Sequence, residues 1–346
     1  MKNQQQTSAL KYKRDYFNPE DSGIGALAGI LAPQVVLFVF AIILTLIAGG
    51  DDAYYKYLTQ EDILVTYFTL AFGELAFFFA YIILVKQRKV DPLTSAGLKK
   101  GINLKTVPII ICLAVAMILF FSPVVNLIDY LISLTGYSID TEIGIPLNNF
   151  GQYALAVLLV AVLPAFCEEI IFRGVVLNGL RKFGMWPAIL ISSLFFMLMH
   201  GNIQQTVYTL FLGIMLGYVV YKTKSLWAGI IVHFINNLIT ITWLYFANLG
   251  WVESSSTLTI DGPYIAYALV ALAIGIGLVI LAFYLIKRFN KESNETNIAE
   301  NTSDNTLPSP RPKLKELFKN STVVVTMVMA LIVSLAFWVY DFVSKI

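Results

Sequence analysis

Uncharged apolar runs of roughly 20 residues recur along the chain, separated by short polar stretches. A helix needs about 20 such residues to cross ~30 Å of hydrocarbon. The pattern therefore predicts spans over 25–48, 63–85, 107–131, 153–180, 186–200, 205–221, 226–246, 263–286 and 323–340. Between the last two, residues 287–320 are rich in Asn, Ser, Thr, Glu, Lys and Pro and hold too little apolar surface to build a core. The predicted organisation is a basic tail (1–22), an eight-span membrane domain (23–286), a polar linker (287–320) and a ninth transmembrane helix (321–346). The fold class expected is an all-α polytopic membrane protein, with no internal repeat.

Composition agrees with the pattern. The chain is 58% apolar and only 13% charged, about half the charged share of an ordinary soluble domain. The first 22 residues are polar and the first apolar run is of full span length, so no cleavable signal peptide is expected. The net charge of +2 does not indicate a nucleic-acid partner, because the basic residues are confined to particular loops. Those loops set the predicted orientation. Lys and Arg gather in the tail, in the 86–105 loop, at 181–182, at 222–224 and in the linker, whereas the intervening loops hold only Lys56. The positive-inside rule then puts the N-terminus in the cytoplasm, the C-terminus outside and the protein in the cell membrane. Asn294, Asn301 and Asn320 begin Asn-x-Ser/Thr matches, which this orientation leaves on the wrong side for glycosylation. Neither Cys112 nor Cys167 suggests a disulfide framework.

Charged residues inside spans are costly and mark function. The fourth apolar segment carries Glu168, Glu169 and Arg173 within LPAFCEEIIFRG. Glu169 and Arg173 are four apart and share a helix face, which fits a structural ion pair. Glu168 is rotated about 100° away and has no such partner. A carboxylate held in a low dielectric without a counter-charge is a stronger base than in water, which suits general-base work near neutral pH. The only two histidines, His200 and His233, lie in the following segments, and His233 shares a face with Asn237. Hydrolysis of a peptide bond needs a base for water and donors for the oxyanion. Glu168 with His200 suits the first need, His233 with Asn237 the second. Glu168, His200 and His233 also form a two-histidine, one-carboxylate set of the kind that binds Zn²⁺, so glutamate and zinc chemistry both remain open. Cys167 is a poor nucleophile candidate beside two acids. Glu74, near the middle of the second span, is a further charge in need of a partner, Asp129 is expected near an interface, and Arg181 and Lys182 are expected to emerge into water. Gly213 and Gly217 mark a face for close helix packing.

These motifs resemble a known family, the CPBP intramembrane proteases (the Abi or CAAX-protease-like group, which includes type II CAAX prenyl endopeptidases). Its EExxxR, FxxxH and HxxxN patterns appear as Glu168-Glu169-x-x-x-Arg173, Phe196-x-x-x-His200 and His233-x-x-x-Asn237, within a motif core at about 150–245. The resemblance implies an eight-helix domain with a cytoplasm-facing cavity, Glu168 and His200 on the attacking water, His233 and Asn237 at the oxyanion, and Glu169 and Arg173 in support. It implies membrane-embedded or lipid-proximal peptide substrates and a metal-free glutamate mechanism, with Zn²⁺ as the alternative. Two other readings compete. A silent scaffold or regulator in signalling or bacteriocin immunity predicts lost motif residues. A proton-coupled transporter predicts repeat-related halves.

Overall fold

The computed structural model describes residues 14–48, 63–139, 144–252, 260–290 and 314–346. Nine long helices account for most of them: α1 (Pro19–Ala48), α2 (Ile63–Arg88), α3 (Val107–Ser133), α4 (Phe150–Phe183), α5 (Met185–His200), α6 (Ile203–Thr223), α7 (Leu226–Asn248), α8 (Gly262–Phe289) and α9 (Ser321–Lys345). Among the described residues there is no β-strand, only an isolated bridge between Arg14 and Val90. The chain is an all-α, multi-pass membrane protein. Eight of the helices are long and apolar enough to cross a membrane. The exception is α5, whose 16 residues reach only about 24 Å at 1.5 Å per residue.

Helix ends follow local chemistry rather than hydropathy. The first apolar run begins near residue 25, yet α1 starts at Pro19. Asn18 and Asp21 exchange side chain-to-backbone hydrogen bonds of 2.9 Å each, a reciprocal cap that satisfies two orphan N–H groups. Pro19 sits where its missing N–H costs nothing. Asp21 is fully buried and also pairs with Arg14 and Arg88, at 3.1 Å each.

The basic loops assemble at one end of the bundle. Asp91 N–H donates to the Arg14 carbonyl at 3.0 Å, and Leu226 N–H to the Gly97 carbonyl at 3.0 Å. Trp227 Nε1 donates to the Leu98 carbonyl at 2.9 Å, and Ser225 Oγ to the Lys100 carbonyl at 2.7 Å. Arg181 joins them in a way the sequence reading did not anticipate. Lys182 is exposed, as expected, whereas half-buried Arg181 donates its guanidinium to the Val220 and Tyr221 carbonyls at 3.2 and 3.3 Å and lies over the Tyr221 ring. Orphan carbonyls at a helix C-terminus attract a cation, and α6 ends beside it. Burial and then the charge of Arg181 hold the Lys100 ammonium below its ordinary pKa. The glycosylation matches at Asn294 and Asn301 lie outside the described residues, as do 1–13 and 291–313. Asn320 caps α9 instead, accepting the Val323 N–H at 3.1 Å.

At the centre is α4. Within its most apolar window 61% of residues are buried, against 50% in α6 and less in the other spans. Around it α1, α2, α5, α6 and α7 pack directly. The Gly213/Gly217 face is used inside the chain: a Cβ on Gly213 would stand 2.9 Å from Ser193 Cβ, and one on Gly217 3.1 Å from Ile189. Those small residues bring α5 and α6 together and so fix His200 relative to α4. An apolar groove of about 590 Å³ lies between α1 and α2, lined by Leu31, Val35, Phe72 and Phe79 among others, with none of the motif residues on its wall.

Candidate active site

The backbone of α4 widens twice. Val157–Val162 and Ile170–Leu177 are π-helical, on either side of an α-helical stretch, Leu163–Glu169. Such segments are rare and concentrate at functional sites. Pro164 contributes to the first, because it lacks the N–H that α geometry would direct to the Val160 carbonyl. Asn237 Nδ2 donates to that carbonyl from α7, at 2.9 Å. Asn237 Oδ1 in turn accepts from Asn236 Nδ2 at 3.1 Å, and Asn236 also bonds the Tyr208 hydroxyl. One amide proton of Asn237 is therefore engaged in holding α4 to α7, and the second is left to donate elsewhere.

The two adjacent carboxylates sit in different surroundings. Both are buried. Glu169 Oε1 accepts from Arg173 Nη1 at 2.6 Å and meets His233 Nδ1 at 3.2 Å. Arg173, fully buried, also donates from Nη2 to the Gly213 carbonyl at 3.3 Å and lies 4.3 Å from the centroid of Phe196. Gly229 makes room for this cluster, since a Cβ there would stand 2.9 Å from Glu169 Oε2 and 2.6 Å from Val220 Cγ2. Glu168 has no such support. Its Oε2 is buried without a hydrogen-bond partner, 4.0 Å from His233 Nε2. That separation is too long for a direct hydrogen bond and short enough for one water to touch both atoms. The i, i+4 reasoning thus separated the two glutamates as the geometry does.

His200 folds back on its own helix, its Nδ1 2.8 Å from the Phe196 carbonyl. A carbonyl only accepts, so Nδ1 carries the proton, and Nε2 of the neutral ring is an acceptor. Among the described residues no direct hydrogen bond or ion pair joins His200 to Glu168. Both histidines instead meet the ring of Phe196 edge-on, with centroid separations of 4.8 Å for His200 and 6.0 Å for His233. Phe196, known from the sequence only as the start of the FxxxH pattern, is the shared wall of the site. Gly229, one turn before His233 on the same face, and the Asn236–Tyr208 pair are also additions; the small residue at i−4 from His233 was the available signal.

Glu74 reaches the site from α2, within electrostatic reach of Glu168 and Cys167. Its Oε2 is buried without a hydrogen-bond partner, and the ion-pair partner of Arg173 is Glu169 rather than Glu74. Among the described residues no group of three His, Cys, Asp or Glu side chains is arranged as a metal-ligand set.

Residues 150–239 match the Rce1-like family, described as type II CAAX prenyl endopeptidase Rce1-like. The matched segment contains all three motifs and every residue of the Glu168–Glu169–Arg173–His200–His233–Asn237 cluster, in agreement with the resemblance read from the sequence. It covers α4, α5, α6 and most of α7, whereas α1, α2, α3, α8 and α9 lie outside it. No curated protein and no solved structure matches the chain.

Proposed function

We propose that this protein is an intramembrane endopeptidase that cleaves membrane-embedded or lipid-proximal peptides by a glutamate-activated water. One observation carries the reading: Glu168 Oε2 is buried without a hydrogen-bond partner 4.0 Å from His233 Nε2, whereas Glu169, whose Oε2 is likewise unpartnered, is held through Oε1 by Arg173 and His233. A water in that gap would lose a proton to Glu168 as its oxygen attacks the peptide carbonyl carbon. The negative charge then moves onto the carbonyl oxygen, where His233 and the free amide proton of Asn237 are the available donors. Collapse breaks the C–N bond, and the proton held by Glu168 passes to the leaving amine. His200, with Nε2 open as an acceptor, orients the attacking water. Glu169 and Arg173 hold His233 and the helix rather than touching substrate. The family match supports the peptidase class, and the burial of the site among apolar helices supports hydrophobic substrates.

The orientation proposed has the basic end of the bundle in the cytoplasm, with α5 counted as a crossing and the C-terminus outside. The gathering of the basic loops at one end supports it.

Peptide profiling of membranes from cells carrying wild type or Glu168→Gln tests the proposal. Products present only with wild type, while the variant accumulates folded, support it and name the substrate. Identical profiles, with a phenotype from loss of the protein, would transfer the weight to a scaffold role. Activity of purified wild type unchanged by a chelator is the result expected for glutamate chemistry.

A further inference from the structure

Outside the matched segment, α9 makes polar contacts on both sides of His200 and on the turn that follows it. That turn joins two helix ends. At the C-terminus of α5, Gly201 takes the left-handed conformation, with φ of 58°. At the start of α6, the first N–H groups have no partner within the helix.

Three contacts from α9 meet these needs. Ser334 Oγ, fully buried, donates to the Leu198 carbonyl in the last turn of α5. Phe337 lies against Gly201, where a Cβ would stand 3.1 Å from Phe337 Cβ, so Gly201 is required both by its backbone conformation and by this approach. Asp341 Oδ2 accepts the Ile203 N–H, the first of α6, at 3.3 Å. Asn202 Oδ1 takes the Gln205 N–H at 3.2 Å, so Asp341 supplies what the helix's own cap leaves open. A carboxylate at a helix N-terminus is also favoured by the helix dipole.

Asp341 is itself held by two side chains, Lys345 and Tyr137. Lys345 Nζ pairs with its Oδ1 at 3.0 Å. The buried Tyr137, at the end of the segment following α3, donates its hydroxyl to Oδ2 at 2.8 Å and accepts from Lys345 Nζ at 3.0 Å. Ser138 N–H donates to the Lys345 carbonyl at 2.8 Å, and the Tyr137 and Phe342 rings stack. Three consecutive turns of α9, at Ser334, Phe337 and Asp341, therefore end in a fixed carboxylate directed at the residues just after His200.

We propose that α9 is a clamp that sets the position of His200, with Asp341 and Ser334 as positioning residues that bracket it from the two sides of the turn. His200 is one residue from Gly201 and two from Leu198. A shift of this turn moves the imidazole against the Phe196 ring and away from the attacking water, while Glu168, Glu169, Arg173 and His233 are anchored on α4 and α7 and are left in place. The catalytic consequence rests on the proposed peptidase function; the contact between α9 and the His200 turn does not.

The chain's two histidines make the test direct. In the full-length protein labelled with ¹³C,¹⁵N-histidine, His200→Asn assigns the two imidazole signals. Asp341→Ala is expected to shift or broaden the His200 signals and leave those of His233 unchanged. Asp341→Asn, which keeps an acceptor for the Ile203 N–H, is expected to restore most of the wild-type spectrum. Ser334→Ala removes a single hydroxyl and is the second variant should Asp341→Ala not fold. Unchanged His200 signals in the folded variants, or equal shifts at both histidines, overturn the proposal. On a cleaved substrate, Asp341→Ala is expected to lower kcat roughly 10- to 100-fold, as displacement of a catalytic group does, with KM unchanged. A KM effect alone would instead place α9 in substrate binding. If wild type cleaves nothing, the spectra still decide whether the clamp exists.

Discussion

Glu168 and Glu169 are neighbours in sequence, yet their substitution is predicted to have opposite signatures. Arg173 Nη1 and Glu169 Oε1 stand 2.6 Å apart with both side chains fully buried. At that distance their gross attraction is ~6 kcal/mol for an effective dielectric near 20. Most of it offsets the desolvation of both ions, so the pair as a whole adds little, whereas removing one partner costs about 3–5 kcal/mol. Arg173→Met is therefore predicted to lower stability by that amount, because it strands the Glu169 carboxylate and also removes the contact over Phe196. Glu169→Gln should lie toward the lower end, since an amide oxygen still accepts from Arg173 and His233. The double substitution, neutral on both sides, should cost only about 0–2 kcal/mol, a coupling far from additivity. Glu168→Gln, which breaks no hydrogen bond of its Oε2, should leave stability within about 1 kcal/mol of wild type. Denaturant titration in micelles, followed by the fluorescence of the five tryptophans, measures all four. Additive losses at Glu169 and Arg173, or a loss at Glu168 as large as at Glu169, would refute the division of labour.

Three further outcomes follow from contacts around the cluster. Gly229→Ala puts a methyl group 2.9 Å from Glu169 Oε2 and 2.6 Å from Val220 Cγ2 and is expected to cost about 1–3 kcal/mol as overpacking; a neutral result in the same titration would contradict the fit. Asn237→Leu removes the donor to the Val160 carbonyl and should destabilise by about 1–3 kcal/mol as well as lowering turnover. Loss of turnover with full stability would assign Asn237 to chemistry alone. Phe196→Leu withdraws the ring beneath Arg173, worth about 0.5–2 kcal/mol, and is expected to reduce both stability and activity, read by melting and by product formation.

Much of the fold was legible because its signals are long. Nine apolar runs became nine helices, and the described parts of the basic loops that suggested an orientation meet at one end. The i, i+4 pairing of Glu169 with Arg173 was legible for the same reason: a short, periodic rule places both on one face. The π-helical turns of α4 were not, because hydropathy carries no mark of a widened backbone; Pro164, mid-span, was the one local hint. Arg181 was misplaced since its partners, the Val220 and Tyr221 carbonyls, come from a helix end 40 residues away. The link from Asp341 to Ile203 spans 138 residues, and no local pattern announces it. Side chains whose partners lie within one turn can be read from sequence; those that cap another helix cannot.

In the proposed mechanism Glu168 activates the water that cleaves the peptide bond. The most direct measurement is single-turnover cleavage of an identified product's parent peptide by wild type and Glu168→Gln in proteoliposomes, each first shown to have the same stability. Loss of a general base is predicted to slow the reaction by about 10²–10⁴-fold. Cleavage by Glu168→Gln at the wild-type rate would contradict the account.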